Sequence, residues 1–156
     1  MGEDPLSALC VACGLCCDGS LFRFLPLGAD PPAAYAALGL PVVLQSGQAA
    51  MPLPCPRLEG TACTVYAQRP GGCRRFRCHA LHRVAVGELS AAEALAAVVE
   101  ARRRIDRLRE ALGDGEGPVV QRATTQALAG RLPEPALRAL EDVQAWLDER
   151  LHWPLA

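Results

Sequence analysis

Lysine is absent from this 156-residue chain, so all sixteen of its basic side chains are arginine. That absence alone assigns no function. Aromatic residues are few. Phe22, Phe24, Tyr35, Tyr66, Phe76, Trp146 and Trp153 make up 4% of the sequence, which leaves little surface for stacking on nucleic-acid bases. An excess of either charge is also missing. The formal net charge is −1, so no global field draws the chain to nucleic acid or to an anionic membrane. No apolar run approaches the ~20 residues that a membrane-spanning helix needs. Met1-Gly2-Glu3-Asp4-Pro5 has neither a basic n-region nor an apolar h-region, so no secretory signal is expected. A cytoplasmic location is expected instead, where thiols stay reduced. Cysteine is absent after Cys78, which leaves the second half of the chain without a thiol ligand.

The first half holds eight cysteines: Cys10, Cys13, Cys16, Cys17, Cys55, Cys63, Cys73 and Cys78. Four of them fall within the run Cys10-Val11-Ala12-Cys13-Gly14-Leu15-Cys16-Cys17. For an even count, a disulfide framework is the plain alternative. A reducing compartment weighs against it, and so does the Cys16-Cys17 doublet. Neighbouring Cα atoms lie ~3.8 Å apart, whereas disulfides prefer ~4.4–6.8 Å. A thioredoxin-type CxxC needs a βαβ context, and the pattern shows none. Thiolates select zinc, iron–sulfur clusters or Cu(I) over hard cations. All eight cysteines are therefore expected as metal ligands.

The spacing Cys10-x2-Cys13-x2-Cys16 suits a tight backbone curl that aims three sulfurs at one centre. Bacterial ferredoxins open with the same C-x2-C-x2-C run and add a distant cysteine followed by proline. Cys55-Pro56 fits that distant part. Cys17, Cys63, Cys73 and Cys78 would then form a second four-thiolate site, and a dinuclear site with bridging sulfurs satisfies the same count. The run of three favours an iron–sulfur cluster over Zn2+, because structural zinc sites commonly use separate C-x2-C knuckles. The Cys16-Cys17 doublet and the lack of a second ferredoxin run count on the side of zinc.

Charge fits thiolates. From Pro31 to Gly87, Glu59 is the sole acid against Arg57, Arg69, Arg74, Arg75, Arg77 and Arg83, a local charge of +5. A zinc ion with four thiolates carries about −2, so two such sites nearly cancel the arginines. The competing reading is a basic surface for an anionic partner.

Along the chain, residues 1–9 read as a short lead-in, and Asp18-Gly19-Ser20 as a turn. Leu21 to Leu25 suggests a strand stopped by Pro26. Asp30 before Pro31-Pro32 suggests an N-cap and a helix that ends at Gly39. Val42-Val43-Leu44, Ser46-Gly47 and Ala49 to Leu53 read as a hairpin. From Cys55 to Cys78, loops and single turns are expected, with a metal supplying the stability that a dry core would otherwise give. Ser90-Ala91-Ala92-Glu93 is a capping box. Beyond it Ala94, Val98, Ala101, Ile105, Leu108 and Leu112 form one apolar helical stripe. A glycine-rich joint at 113–117 leads into a helix from Pro118 to about Gly130. A third helix follows Pro133 and carries Ala136, Leu140, Val143, Leu147 and Leu151 on its inner face. Trp146 and Trp153 flank that face as packing residues. His79 and His82 are expected near the site rather than as ligands, since eight cysteines already fill two tetrahedral sites.

The cysteine run resembles the CxxCxxCC signature of the YkgJ-type cysteine-cluster family, described as a zinc- or iron-chelating domain. Further pieces are similar to that family's pattern in order: Cys55-Pro56-x-Leu58, Cys63-x-Val65-Tyr66, and Arg69-Pro70-x2-Cys73-Arg74-x-Phe76-x-Cys78. The resemblance covers residues 10–80 and implies metal or cluster binding through the eight cysteines. Flagellin lysine methylases are similar in their cysteine region. The chain is short and shows no Gly-rich cofactor loop, so methyl transfer is not carried over. The expected fold is mainly α with a small irregular or β-hairpin cysteine-rich metal core, a small α+β protein. Its expected domains are a core over 1–88 and a helical section over 89–156. The expected function is metal binding in a structural or electron-transfer role, with no membrane partner and no nucleic acid. A metal-dependent protein-modifying enzyme and a zinc-stabilised binding module are the alternatives.

Overall fold

The computed structural model describes residues 4–154. The protein is mainly α with two small antiparallel sheets, a small α+β fold. The chain divides into two compact units. One is Val11–Arg77; the other joins the residues up to Cys10 to those from Cys78 onward. The short helix α4 (His79–Ala85) packs on the helix that follows it and so falls in the second of these units. None of the helices among the described residues is long and apolar enough to cross a membrane.

The expected lead-in is a helix, α1 (Pro5–Cys13). Pro5 takes the first helical position, where its missing N–H costs nothing. The Asp4 carboxylate accepts the Ser7 N–H at 3.2 Å and the Ser7 hydroxyl at 3.0 Å, which caps the first turn.

In the Val11–Arg77 unit, β1 (Phe24–Pro26), β2 (Val43–Gln45) and β3 (Gln48–Pro52) form an antiparallel sheet in the order β1-β3-β2. Ser46 and Gly47 both have positive φ, 51° and 79°, as a two-residue hairpin turn requires. The expected hairpin is thus present. The strand expected from Leu21 begins only at Phe24, because the Leu21 N–H is drawn back to the Leu15 carbonyl at 3.3 Å. It also includes Pro26, which an edge strand tolerates. α2 (Pro32–Ala36) has Pro31 at its N-cap without a side-chain bond. Asp30 does not cap it, since its carboxylate is engaged elsewhere. β4 (Leu58–Glu59) and β5 (Ala62–Cys63) form a second hairpin, and α3 (Gly71–Arg75) follows a 3-10 turn at Tyr66–Gln68. Leu25, Leu27, Tyr35, Leu40, Met51 and Leu53 make the core of this unit, with Cys55, Cys73, Phe22 and Phe76 packed against it.

The helical unit follows its sequence pattern closely. α5 (Ala91–Leu112) buries Ala94, Val98, Ala101, Ile105 and Leu108. α6 (Val119–Leu128) buries Val119, Val120 and Ala123, and α7 (Glu134–Arg150) buries Ala136, Leu140, Val143 and Leu147. The three helices pack on one another. Trp146 Nε1 donates to the Ala97 carbonyl at 3.1 Å, which ties α7 to α5. Arg104 bridges Glu100 on its own helix and Asp142 on α7.

Both halves of the capping box are formed: the Glu93 N–H donates to the Ser90 hydroxyl at 3.2 Å, and the Ser90 N–H to the Glu93 carboxylate at 2.8 Å. Ser90→Ala is expected to cost about 1 kcal/mol. A lowered thermal midpoint checks this, and an unchanged one would show that the cap is dispensable.

Candidate functional site

The site is built on the turn that follows α1. Cys10 and Cys13 lie three apart on that helix, so they share one face. They do not form the expected backbone curl, because the Asp4-Pro5 cap starts a helix through them. Gly14 then takes φ +64°, which ends the helix. Its carbonyl accepts the Cys17 N–H at 3.1 Å and the Asp18 N–H at 2.9 Å, closing a tight turn around Cys16 and Cys17.

Three later segments meet this turn. The Cys55 N–H donates to the Cys17 carbonyl at 2.8 Å. Cys63 lies on β5, paired across from Leu58. Thr61, in the β4–β5 turn, approaches Gly14 so closely that a Cβ there would lie 2.9 Å from its carbonyl oxygen. Cys73 is the middle residue of α3 and packs on the apolar core.

The thiols feel one another. Burial pushes the Cys73 thiol up to about 12, and Cys17, Cys55 and Cys63 push the same way while Arg69 opposes them. Burial also raises Cys55, with Cys17 and Cys63 adding to the effect. Cys17 is lowered, chiefly because the Cys16 thiol donates a hydrogen bond to its sulfur, with a smaller contribution from Arg69. Cys17, Cys55, Cys63 and Cys73 thus lie within electrostatic reach of one another, with Cys16 hydrogen-bonded to Cys17. Cys78 and Cys10 belong to the helical unit. Cys78 caps α4, its sulfur accepting the Leu81 N–H at 3.4 Å, and burial raises its thiol. Cys13 belongs to the same unit as the converging five.

No cysteine forms a disulfide among the described residues. As the side chains stand, no three His, Cys, Asp or Glu groups among the described residues are placed to hold a metal ion.

The histidines are stacking partners. The His79 and His82 rings lie 5.3 Å and 4.8 Å from the Trp153 ring, and His79 Nδ1 is buried without a hydrogen-bond partner. The arginines serve largely as internal donors. Arg57 bonds the Leu38 carbonyl, and Arg74 bonds the carbonyls of Arg69 and Ala67. Arg69 stacks 3.5 Å over the Tyr66 ring and bonds the Tyr66 carbonyl.

Sequence reasoning missed the role of Asp30. Its carboxylate accepts hydrogen bonds from the Gly72 N–H, the Tyr35 hydroxyl and Arg75. The Arg75 guanidinium holds its carboxyl below the usual range. The available signal was its position, an acid at the edge of an arginine-rich stretch that contains a single other acid. The chain matches no protein-family model, no curated protein and no solved structure.

Proposed function

We propose that the Val11–Arg77 unit binds a thiolate-ligated metal, either Zn2+ or an iron–sulfur cluster, in a structural or electron-transfer role. The observation that carries this reading is the convergence of Cys17, Cys55, Cys63 and Cys73 from four separate segments of chain, with Cys16 beside them. The donor chemistry fits. Four partly buried sulfurs whose thiolate charges repel one another gain from a cation that offsets those charges. The apolar core behind Cys55 and Cys73 keeps water from one side, which strengthens charge interactions. The motif resemblance to the YkgJ-type family supports the same reading, without a matching family model behind it. The converging thiols are not the run of three that favoured a cluster, so zinc and iron–sulfur stand level on geometry. Arg57, Arg69, Arg74 and Arg75 each donate to a backbone carbonyl of their own unit, but Arg57, Arg74 and Arg75 stay exposed, so an arginine-surface binding module is the second reading.

The test is anaerobic purification from iron-replete cells, followed by an absorption spectrum and iron, sulfide and zinc analysis. A brown protein with matching iron and sulfide identifies a cluster. A colourless protein with stoichiometric zinc identifies a zinc site. A chain that carries neither and takes up neither on reconstitution would refute the proposal.

A further inference from the structure

Resting on the metal-binding reading above, we propose that Asp30 is the positioning residue for Cys73: it seats the first turn of α3 and so fixes where the Cys73 thiol sits relative to Cys17, Cys55 and Cys63. α3 has five residues and no side-chain cap at Pro70. A helix that short does not hold its place by itself. Asp30 supplies the hold from 42 residues away. Its Oδ2 accepts the Gly72 N–H at 2.5 Å and the Tyr35 hydroxyl at 3.1 Å, and its Oδ1 accepts Arg75 Nη1 at 3.0 Å. Arg75 Nη2 donates onward to the Leu27 carbonyl at 3.0 Å. One carboxylate therefore grips the backbone just before Cys73 and the side chain two residues after it.

The neighbouring glycines are shaped to this contact. A Cβ at Gly71 would lie 2.5 Å from Asp30 Oδ1, and a Cβ at Gly72 would strike the Tyr35 hydroxyl. Tyr35 is fully buried in the core on which Cys73 also packs, so the carboxylate is held from the core side as well. Partners that orient a ligand without touching the metal are a general part of such sites.

The test compares Asp30→Ala and Asp30→Asn with the wild-type full chain. Zinc affinity is measured against a chromophoric chelator. Cysteine accessibility is measured by pulsed iodoacetamide labelling and peptide mass spectrometry, with and without zinc. Asp30→Ala is expected to lower zinc affinity by about 10- to 100-fold and to raise labelling at Cys73 selectively over Cys17, Cys55 and Cys63. Asp30→Asn keeps an oxygen for the Gly72 N–H and is expected to recover part of both losses. Where Asp30→Ala loses the far-UV signal of the folded chain, the result is read from Asp30→Asn. In the zinc-loaded chain, equal labelling of all four thiols, or no gain at Cys73, would overturn the assignment, since a merely structural role loosens the unit as a whole. If the wild-type chain takes up neither zinc nor a cluster, the metal-binding reading fails separately. The metal-free labelling still decides for or against Asp30.

Discussion

Stripping the proposed metal with a strong chelator is expected to unfold Val11–Arg77 and to leave α5, α6 and α7 helical. With fewer than ~70 residues, the unit falls in the size range where one core rarely supplies more than about 3–5 kcal/mol. The main cluster of that core holds six buried side chains, with Leu15 and Ala50 buried besides, and its sheet strands are at most five residues long. Ligand binding to a structural zinc site contributes about 10–16 kcal/mol in small zinc domains, so loss of the ion removes more than the core can replace. The thiols left behind are partly buried polar groups, and Cys73 at about 12 stays protonated at neutral pH. The three long helices differ. Their apolar stripes pack on one another and they contain no cysteine. Hydrogen exchange read by mass spectrometry, with and without chelator, checks this. The expected outcome is a loss of protection confined to residues 11–77. Unchanged protection and an unchanged thermal midpoint after complete metal removal would show that the ion, if bound, does not hold the fold.

The helical unit was legible in the sequence because its determinants are local or periodic. Ser90 and Glu93 signal a helix start within four residues, and the stripe from Ala94 to Leu108 repeats at helical spacing. The hairpin of β2 and β3 was legible for a similar reason, since Ser46-Gly47 marks the turn between two short strand patterns. α1 carries an equally local signal in Asp4-Pro5, where the Asp4 carboxylate caps the first turn. The cysteines themselves are legible in the sequence; their arrangement is not. Which sulfurs meet depends on contacts between distant segments: Cys17 with Cys55, and Thr61 with Gly14. No spacing rule encodes these. Asp30 shows the limit most clearly. Locally it satisfies every criterion for an N-cap, yet Gly72 and Arg75 compete for the same carboxylate from more than forty residues away. They win because a buried backbone N–H and a guanidinium gain more from it than a solvated helix end does.

Gly14→Ala is expected to damage the thiol site. Gly14 has φ +64°, and an L-residue in that region costs about 1–2 kcal/mol. Space makes the cost larger. The new Cβ would lie 2.9 Å from the Thr61 carbonyl oxygen and 3.0 Å from its Cα, and both are backbone atoms that no rotamer change can move aside. Either the turn holding Cys16 and Cys17 shifts, or the β4–β5 turn retreats and takes Cys63 with it. Both routes separate sulfurs that the structure brings together. Gly60→Ala is the matched control. Gly60 has a similar φ of +61°, but a Cβ there meets nothing within 4 Å. It therefore pays the backbone cost without the clash. The measurement is thermal denaturation of both variants together with metal content after anaerobic purification. The expected result is a modest midpoint loss with full metal content for Gly60→Ala, and a larger midpoint loss with depleted metal for Gly14→Ala. If the two variants behave alike, the contact between Gly14 and Thr61 does not shape the site. The meeting of Cys17 and Cys63 would then have to rest on the Cys55 and β4–β5 hydrogen bonds alone.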